Sequence, residues 1–203
     1  MRALQQIWFL RKSRYMWNKQ NDVKVFGDLI TGIDNILYEC VYCNGKMIVQ
    51  DGLFYCKKCG KQWTIDEYYR LHNANNELTI AQWFDKQRQN IKQKIKADDF
   101  FLQSQVKVEY LDGYKGFKEV GYGLFTQGSN GVTFDGVVFD KDCTLTFEAN
   151  KHWSVPANNH FVEFSQDGKT YRFLFAQNGV AIKCAIAVEE SFKVAKGKKQ
   201  MNF

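Results

Sequence analysis

Four of the six cysteines stand in two pairs, Cys40-Val41-Tyr42-Cys43 and Cys56-Lys57-Lys58-Cys59, with twelve residues between the pairs. A two-residue gap lets one tight turn aim two sulfurs at a single point, and two such turns close a tetrahedral cage of thiolates around Zn²⁺. Four cysteine ligands fill the coordination shell and leave no position for a catalytic water, so the chemistry expected of Cys40, Cys43, Cys56 and Cys59 is structural. One zinc ion per chain is the cofactor expected from this spacing. In a segment too small to bury much core, the metal supplies the folding energy, on the order of 10 kcal/mol in zinc-finger peptides. Disulfides are the alternative, and they suit a secreted chain with a signal peptide.

The remaining chemistry-bearing residues are sparse. Cys143 alternates with Leu145 and Phe147, and Cys184 lies among Val180, Ile182, Ile186 and Val188; both are expected to be buried, unpaired thiols. His72, His152 and His160 sit in polar contexts that read as loops. The carboxylate pairs Asp66-Glu67 and Glu189-Glu190 read as solvated charge. No G-x-S-x-G, G-x-x-x-x-G-K-[ST] or H-E-x-x-H motif occurs. Lys46, Lys57, Lys58 and Lys61 surround the cysteines, with Tyr42, Tyr55 and Trp63 beside them, a combination that could contact anions or stack on nucleic-acid bases.

These residues need elements to position them. Lys46–Val49 and Leu53–Tyr55 read as the strands of a hairpin turning at Gln50-Asp51-Gly52. Gly45 and Gly60, just after each pair, supply open backbone. Residues 1–20 carry a basic, aromatic stripe at near-helical spacing, expected to pack on protein or lie on a membrane surface. His72 to Asn76 reads as a loop. Thr79 to Ala97 reads as a helix, with a capping box at Thr79 and Gln82 and with Trp83, Phe84, Ile91 and Ile95 on one face. From Phe100 the period changes to two, in short runs punctuated at Tyr122-Gly123, Gly128–Gly131, Asp135-Gly136 and Gln166–Lys169. Gly179 to Lys193 returns to a helical pattern.

Composition bounds the rest. The chain has 203 residues, 45% of them hydrophobic, one proline and a formal charge of +6. Disorder, collagen and a simple coiled coil are excluded by that apolar fraction and pattern. The longest apolar runs fall far short of the ~18 residues of a membrane span. Residues 1–100 carry 16 basic against 11 acidic side chains, residues 101–193 carry 9 against 11, and the last ten carry three lysines and no acid. The basic excess therefore belongs to the cysteine-bearing half and to Lys196-Gly197-Lys198-Lys199, where it would favour anionic partners.

An ordered string of signposts resembles a known arrangement. Gly32–Cys40, Cys59-Gly60-Lys61-Gln62-Trp63 with Asp66-Glu67-Tyr68, and Trp83-Phe84 with Gln87-Arg88 form its first half. Val106-Lys107-Val108, Gly121–Phe125, Tyr171-Arg172-Phe173 and Ala187–Phe192 form its second. Over about residues 30–193 this is similar to the region that follows the catalytic domain in Firmicute proteins of the 1-acyl-glycerol-3-phosphate (lysophospholipid) acyltransferase family. Members of that family use an H-x-x-x-x-D motif. Here His72 is followed at that offset by Glu77, His152 by Ala157 and His160 by Ser165. The resemblance thus implies the accessory C-terminal module without its enzyme.

The expected fold is α+β: a helical lead-in over 1–31, a zinc ribbon with flanking helices over 32–77 and a linking amphipathic helix over 78–99. An antiparallel β-rich, pleckstrin-homology-like domain closed by a C-terminal helix follows over 100–193, then a basic tail over 194–203. The expected function is a non-catalytic accessory or interaction module linked to phospholipid biosynthesis. The alternative is a zinc-ribbon nucleic-acid-binding protein. Expected partners are a protein, such as an acyltransferase domain, then a membrane surface, then nucleic acid. The expected location is the cytoplasm, with the inner face of the membrane as a peripheral site.

Overall fold

The computed structural model describes residues 27–74 and 76–200, with side chains as far as Gly197. The stripe over residues 1–20, and nearly all of the expected lead-in, lie outside the described residues. The chain forms two compact units, one through Gln87 and the other from Arg88 onward.

The first unit is built on a five-stranded antiparallel sheet in sequence order: β1 (Met47–Gln50), β2 (Leu53–Cys56), β3 (Gln62–Ile65), β4 (Arg70–Asn73) and β5 (Asn76–Thr79). The β1–β2 hairpin forms where the Asp-Gly signal placed it. Asp51 and Gly52 both take positive φ, 52° and 75°, the backbone twist that a two-residue hairpin turn requires. Strands β4 and β5 replace the loop expected at His72–Asn76. Apart from Leu71, which is buried, and Leu78, their residues are polar and at least partly exposed, so no alternation announces them; pairing of Leu71 with Leu78 and His72 with Glu77 holds them.

Helix α1 (Ile80–Lys96) starts at the expected capping box. The Thr79 N–H donates to Gln82 Oε1 at 2.8 Å, and the Gln82 N–H donates to Thr79 Oγ1 at 3.1 Å. Its Trp83 is fully buried, with ring centroids 4.8 Å from Trp63 and 5.6 Å from Phe54. Together with Ile33, Ile36, Leu37, Met47 and Leu71, these residues make a small core directly beneath the cysteines. The boundary between the units falls within α1, and its later apolar positions Ile91 and Ile95 are buried as their spacing predicts.

The second unit is a six-stranded antiparallel sheet: β6 (Phe101–Leu111), β7 (Phe117–Gly128), β8 (Gly131–Val138), β9 (Lys141–Glu148), β10 (Phe161–Gln166) and β11 (Lys169–Phe175). The strand order is β10-β11-β6-β7-β8-β9. Six phenylalanines fill one face, and Phe173 alone meets the rings of Phe125, Phe134, Phe147 and Phe164 at centroid distances of 5.3 to 6.1 Å. Two of the expected breaks are not breaks. Gly123 and Gly136 face each other in mid-strand, and a Cβ on either would lie 2.4 Å from the opposite strand's carbonyl oxygen. Glycine is needed there because the strands close on each other under the Phe134 ring, which the spacing of turn residues alone does not distinguish from a turn.

Helix α2 (Val180–Gln200) runs seven residues beyond the expected end, so Lys196 to Gln200, expected as part of a tail, are helical. Over residues 180–192 it is buried or half-buried all round, with Ala181, Cys184 and Ala187 inaccessible. Arg88 of α1 donates from one guanidinium nitrogen to Glu189 (2.9 Å) and Glu190 (2.8 Å) of α2. Glu190 is 2% exposed, so this carboxylate pair is an internal ion network and not solvated charge. Among the described residues, no helix is long and apolar enough to cross a membrane.

Candidate metal centre

Each cysteine pair sits in a turn with the same hydrogen bonds. The Cys40 N–H donates to Gly45 O, and the Cys40 carbonyl accepts the Asn44 N–H (2.8 and 3.0 Å). The Cys56 N–H donates to Lys61 O, and its carbonyl accepts the Gly60 N–H (3.0 and 2.9 Å). The fourth residue after the first cysteine takes positive φ in both turns: Asn44 at 55° and Gly60 at 70°. Gly60 thus has the conformational role expected of it. Gly45 has another: a Cβ there would lie 2.5 Å from Lys58 Cβ and 2.9 Å from Cys56 Sγ, so the residue is small because the other turn presses on it. A bond from the Lys57 N–H to Lys46 O (2.9 Å) ties the two turns together.

The geometry brings the four sulfurs within 4.8 Å of one another. Cys40 Sγ is 3.8 Å from Cys59 Sγ, and Cys43 Sγ is 3.5 Å from Cys56 Sγ. A tetrahedron with metal–sulfur bonds of about 2.3 Å has edges of about 3.8 Å, so the cluster is already at coordination size and could hold a metal ion. The Lys58 N–H points at Cys56 Sγ (3.4 Å), the kind of backbone donor that steadies thiolate charge.

The set is graded in exposure. Cys40 and Cys56 are buried, Cys43 is intermediate and Cys59 is exposed. Burial pushes the Cys40 thiol up to about 12. Cys59 moves the other way, down to about 7, chiefly because the Lys61 backbone N–H donates to its sulfur. Cys43 is raised, by burial first and then by sharing protons with Cys56 and Cys59.

The floor of the site comes from α1, through a residue that sequence reasoning passed over as a site-former. Gln87, 3% exposed, accepts the Glu39 N–H at Oε1 (2.9 Å) and donates from Nε2 to Ile36 O (3.0 Å). Trp83 Nε1 donates to Glu39 O at 2.8 Å. Two helix side chains one turn apart therefore hold the segment that delivers Cys40. The available signal was a polar residue on the apolar face of an otherwise regular helix.

Lys46, Lys57, Lys58 and Lys61 are all exposed around the turns. Lys61 Nζ lies 4.5 Å over the Tyr42 ring, and that ring stacks on Trp63 at 5.9 Å. Cys143 and Cys184 are not part of the cluster. Cys184 is buried and burial raises its thiol, whereas Cys143 is only half buried. His72 sits on β4 with Nε2 3.0 Å from Asp66 Oδ2, and His152 packs edge-on against Phe147 and Phe164. Asp66 is no solvated helix-end charge: its other oxygen accepts the Tyr68 and Arg70 N–H groups, closing the β3–β4 turn.

No protein-family model and no curated protein sequence matches the chain. Among solved structures it is similar to the Ran-binding domain from the nuclear complex component Nup2 of Ashbya gossypii. That likeness has 15% identity and a TM-score of 0.36, and covers 45% of this chain and 92% of that one.

Proposed function

We propose that the chain is a non-catalytic interaction module in which a zinc ribbon is joined to a pleckstrin-homology-like β-rich unit. The observation that carries the reading is the four-sulfur cluster at coordination size, built by two turns with the same hydrogen bonding. An all-sulfur tetrahedral set favours zinc among common cellular metals, and a filled shell acts on structure, not on substrate. A four-strand meander, β6 to β9, extended on the β6 side by the β10–β11 hairpin and followed by a C-terminal helix, supports the assignment of the second unit.

The partner proposed from the sequence resemblance is an acyltransferase domain of phospholipid synthesis. The test is metal analysis followed by an acyl-transfer assay. One zinc per chain, no transfer to lysophosphatidate by the chain alone, and stimulation or capture of a separate acyltransferase domain are expected. Acyl transfer by the purified chain alone defeats the reading.

The exposed lysines around the turns favour a second reading, binding of single-stranded nucleic acid, although Trp63, expected beside them as a stacking platform, is 2% exposed and belongs to the core. A divalent ion with four thiolates carries two net negative charges, which offset part of this basic patch. Oligonucleotide affinity that falls steeply with salt supports this reading, and no affinity at low ionic strength removes it.

A further inference from the structure

We propose that Cys59 is an oxidation site through which hydrogen peroxide removes the ribbon's metal, a proposal that rests on the zinc reading above. Three observations converge on it. Cys59 is the exposed member of a set whose Cys40 and Cys56 are buried. Its neighbours Lys57, Lys58, Gly60 and Lys61 are exposed too, so a small oxidant reaches its sulfur through an open, electropositive rim of the kind that marks reactive cysteines. A second sulfur, Cys40 Sγ, stands 3.8 Å away, on the other turn.

The chemistry balances in two steps. The Cys59 thiolate attacks one peroxide oxygen; the S–O bond forms, the O–O bond breaks, and hydroxide leaves and is protonated to water, giving a sulfenic acid. The Cys40 thiolate then attacks the Cys59 sulfur; the S–S bond forms, the S–O bond breaks, and hydroxide leaves and takes a proton from solvent to give a second water. Two electrons pass from the two sulfurs to peroxide. The metal keeps only Cys43 and Cys56, half of a tetrahedral shell, and dissociates. Since the metal supplies the folding energy of the first unit, oxidation opens that unit, and a dithiol reductant with zinc restores it.

The test treats the zinc-loaded full chain with peroxide beside a chromogenic chelator and maps the peptides by mass spectrometry. Zinc release in step with a Cys40–Cys59 disulfide, reversed by a dithiol, is expected. Cys59→His, which keeps four ligands for zinc, should slow release at least tenfold; if it fails to load, the peptide map of the unaltered chain decides. A Cys43–Cys56 disulfide forming first, or release with neither disulfide, overturns the proposal. A chain that carries and takes up no zinc overturns the metal reading itself, whereas a zinc-loaded chain that peroxide leaves intact overturns only the oxidation site.

Discussion

The two units solve the same problem with different materials. The first has five strands of four residues each and a buried core of eight side chains besides Cys40 and Cys56, under a cluster of four thiols. The second has strands of up to twelve residues and a face of interlocked phenylalanines under a buried helix. Short strands bury little apolar area, and below some size a core cannot offset the entropy of ordering the chain. In the proposed reading a metal cage then replaces hydrophobic burial, and stability concentrates in four sulfurs instead of spreading over many contacts.

The largest test of that contrast is metal removal. Chelation, or Cys56→Ser, should unfold the first unit with a loss on the order of 10 kcal/mol, while amide exchange in β6–β11 stays slow. Simultaneous loss of protection in both units breaks the comparison. Phe173→Ala should do the reverse, costing about 3–5 kcal/mol in the second unit by removing a buried ring with four aromatic neighbours, with zinc content unchanged.

Arg88→Met comes next, costing about 3 kcal/mol in denaturant titration, because it leaves the buried Glu190 with only Lys193. Burial opposes the Glu190 charge, but Lys193 and Arg88 outweigh it and hold this carboxyl below its ordinary value of 4.5. A group lowered on folding binds fewer protons in the native state, so its stabilisation is present above the unfolded value and is lost as pH falls through the native one. The unfolding midpoint of the second unit should therefore drop below about pH 4.5, less steeply in Glu190→Gln. The smallest effect is Thr79→Ala, about 1 kcal/mol by thermal melting, from loss of the capping box at the start of α1.

Where local chemistry sufficed, the sequence was legible. The cysteine spacing, the Asp51-Gly52 and Asp167-Gly168 turns, the Thr79 cap and the apolar stripe of α1 each depend on residues a few positions apart. Where a residue's meaning depended on a distant neighbour, it was not. Asp135-Gly136 looks like a turn until β7 is laid against it, and Glu189-Glu190 looks like surface charge until Arg88 arrives from 101 and 102 positions away.

The sequence by itself determined the four-cysteine set, the existence of a small cysteine-bearing unit ahead of a β-rich one, and the absence of familiar catalytic motifs. Only the tertiary structure decided which cysteine meets solvent, which sulfur stands beside it, and that Gln87 of α1 holds the segment delivering Cys40. Ligand spacing is a property of one turn, fixed by local backbone geometry. Exposure and pairing are set by which surfaces pack together, and those are chosen by contacts far apart in the chain.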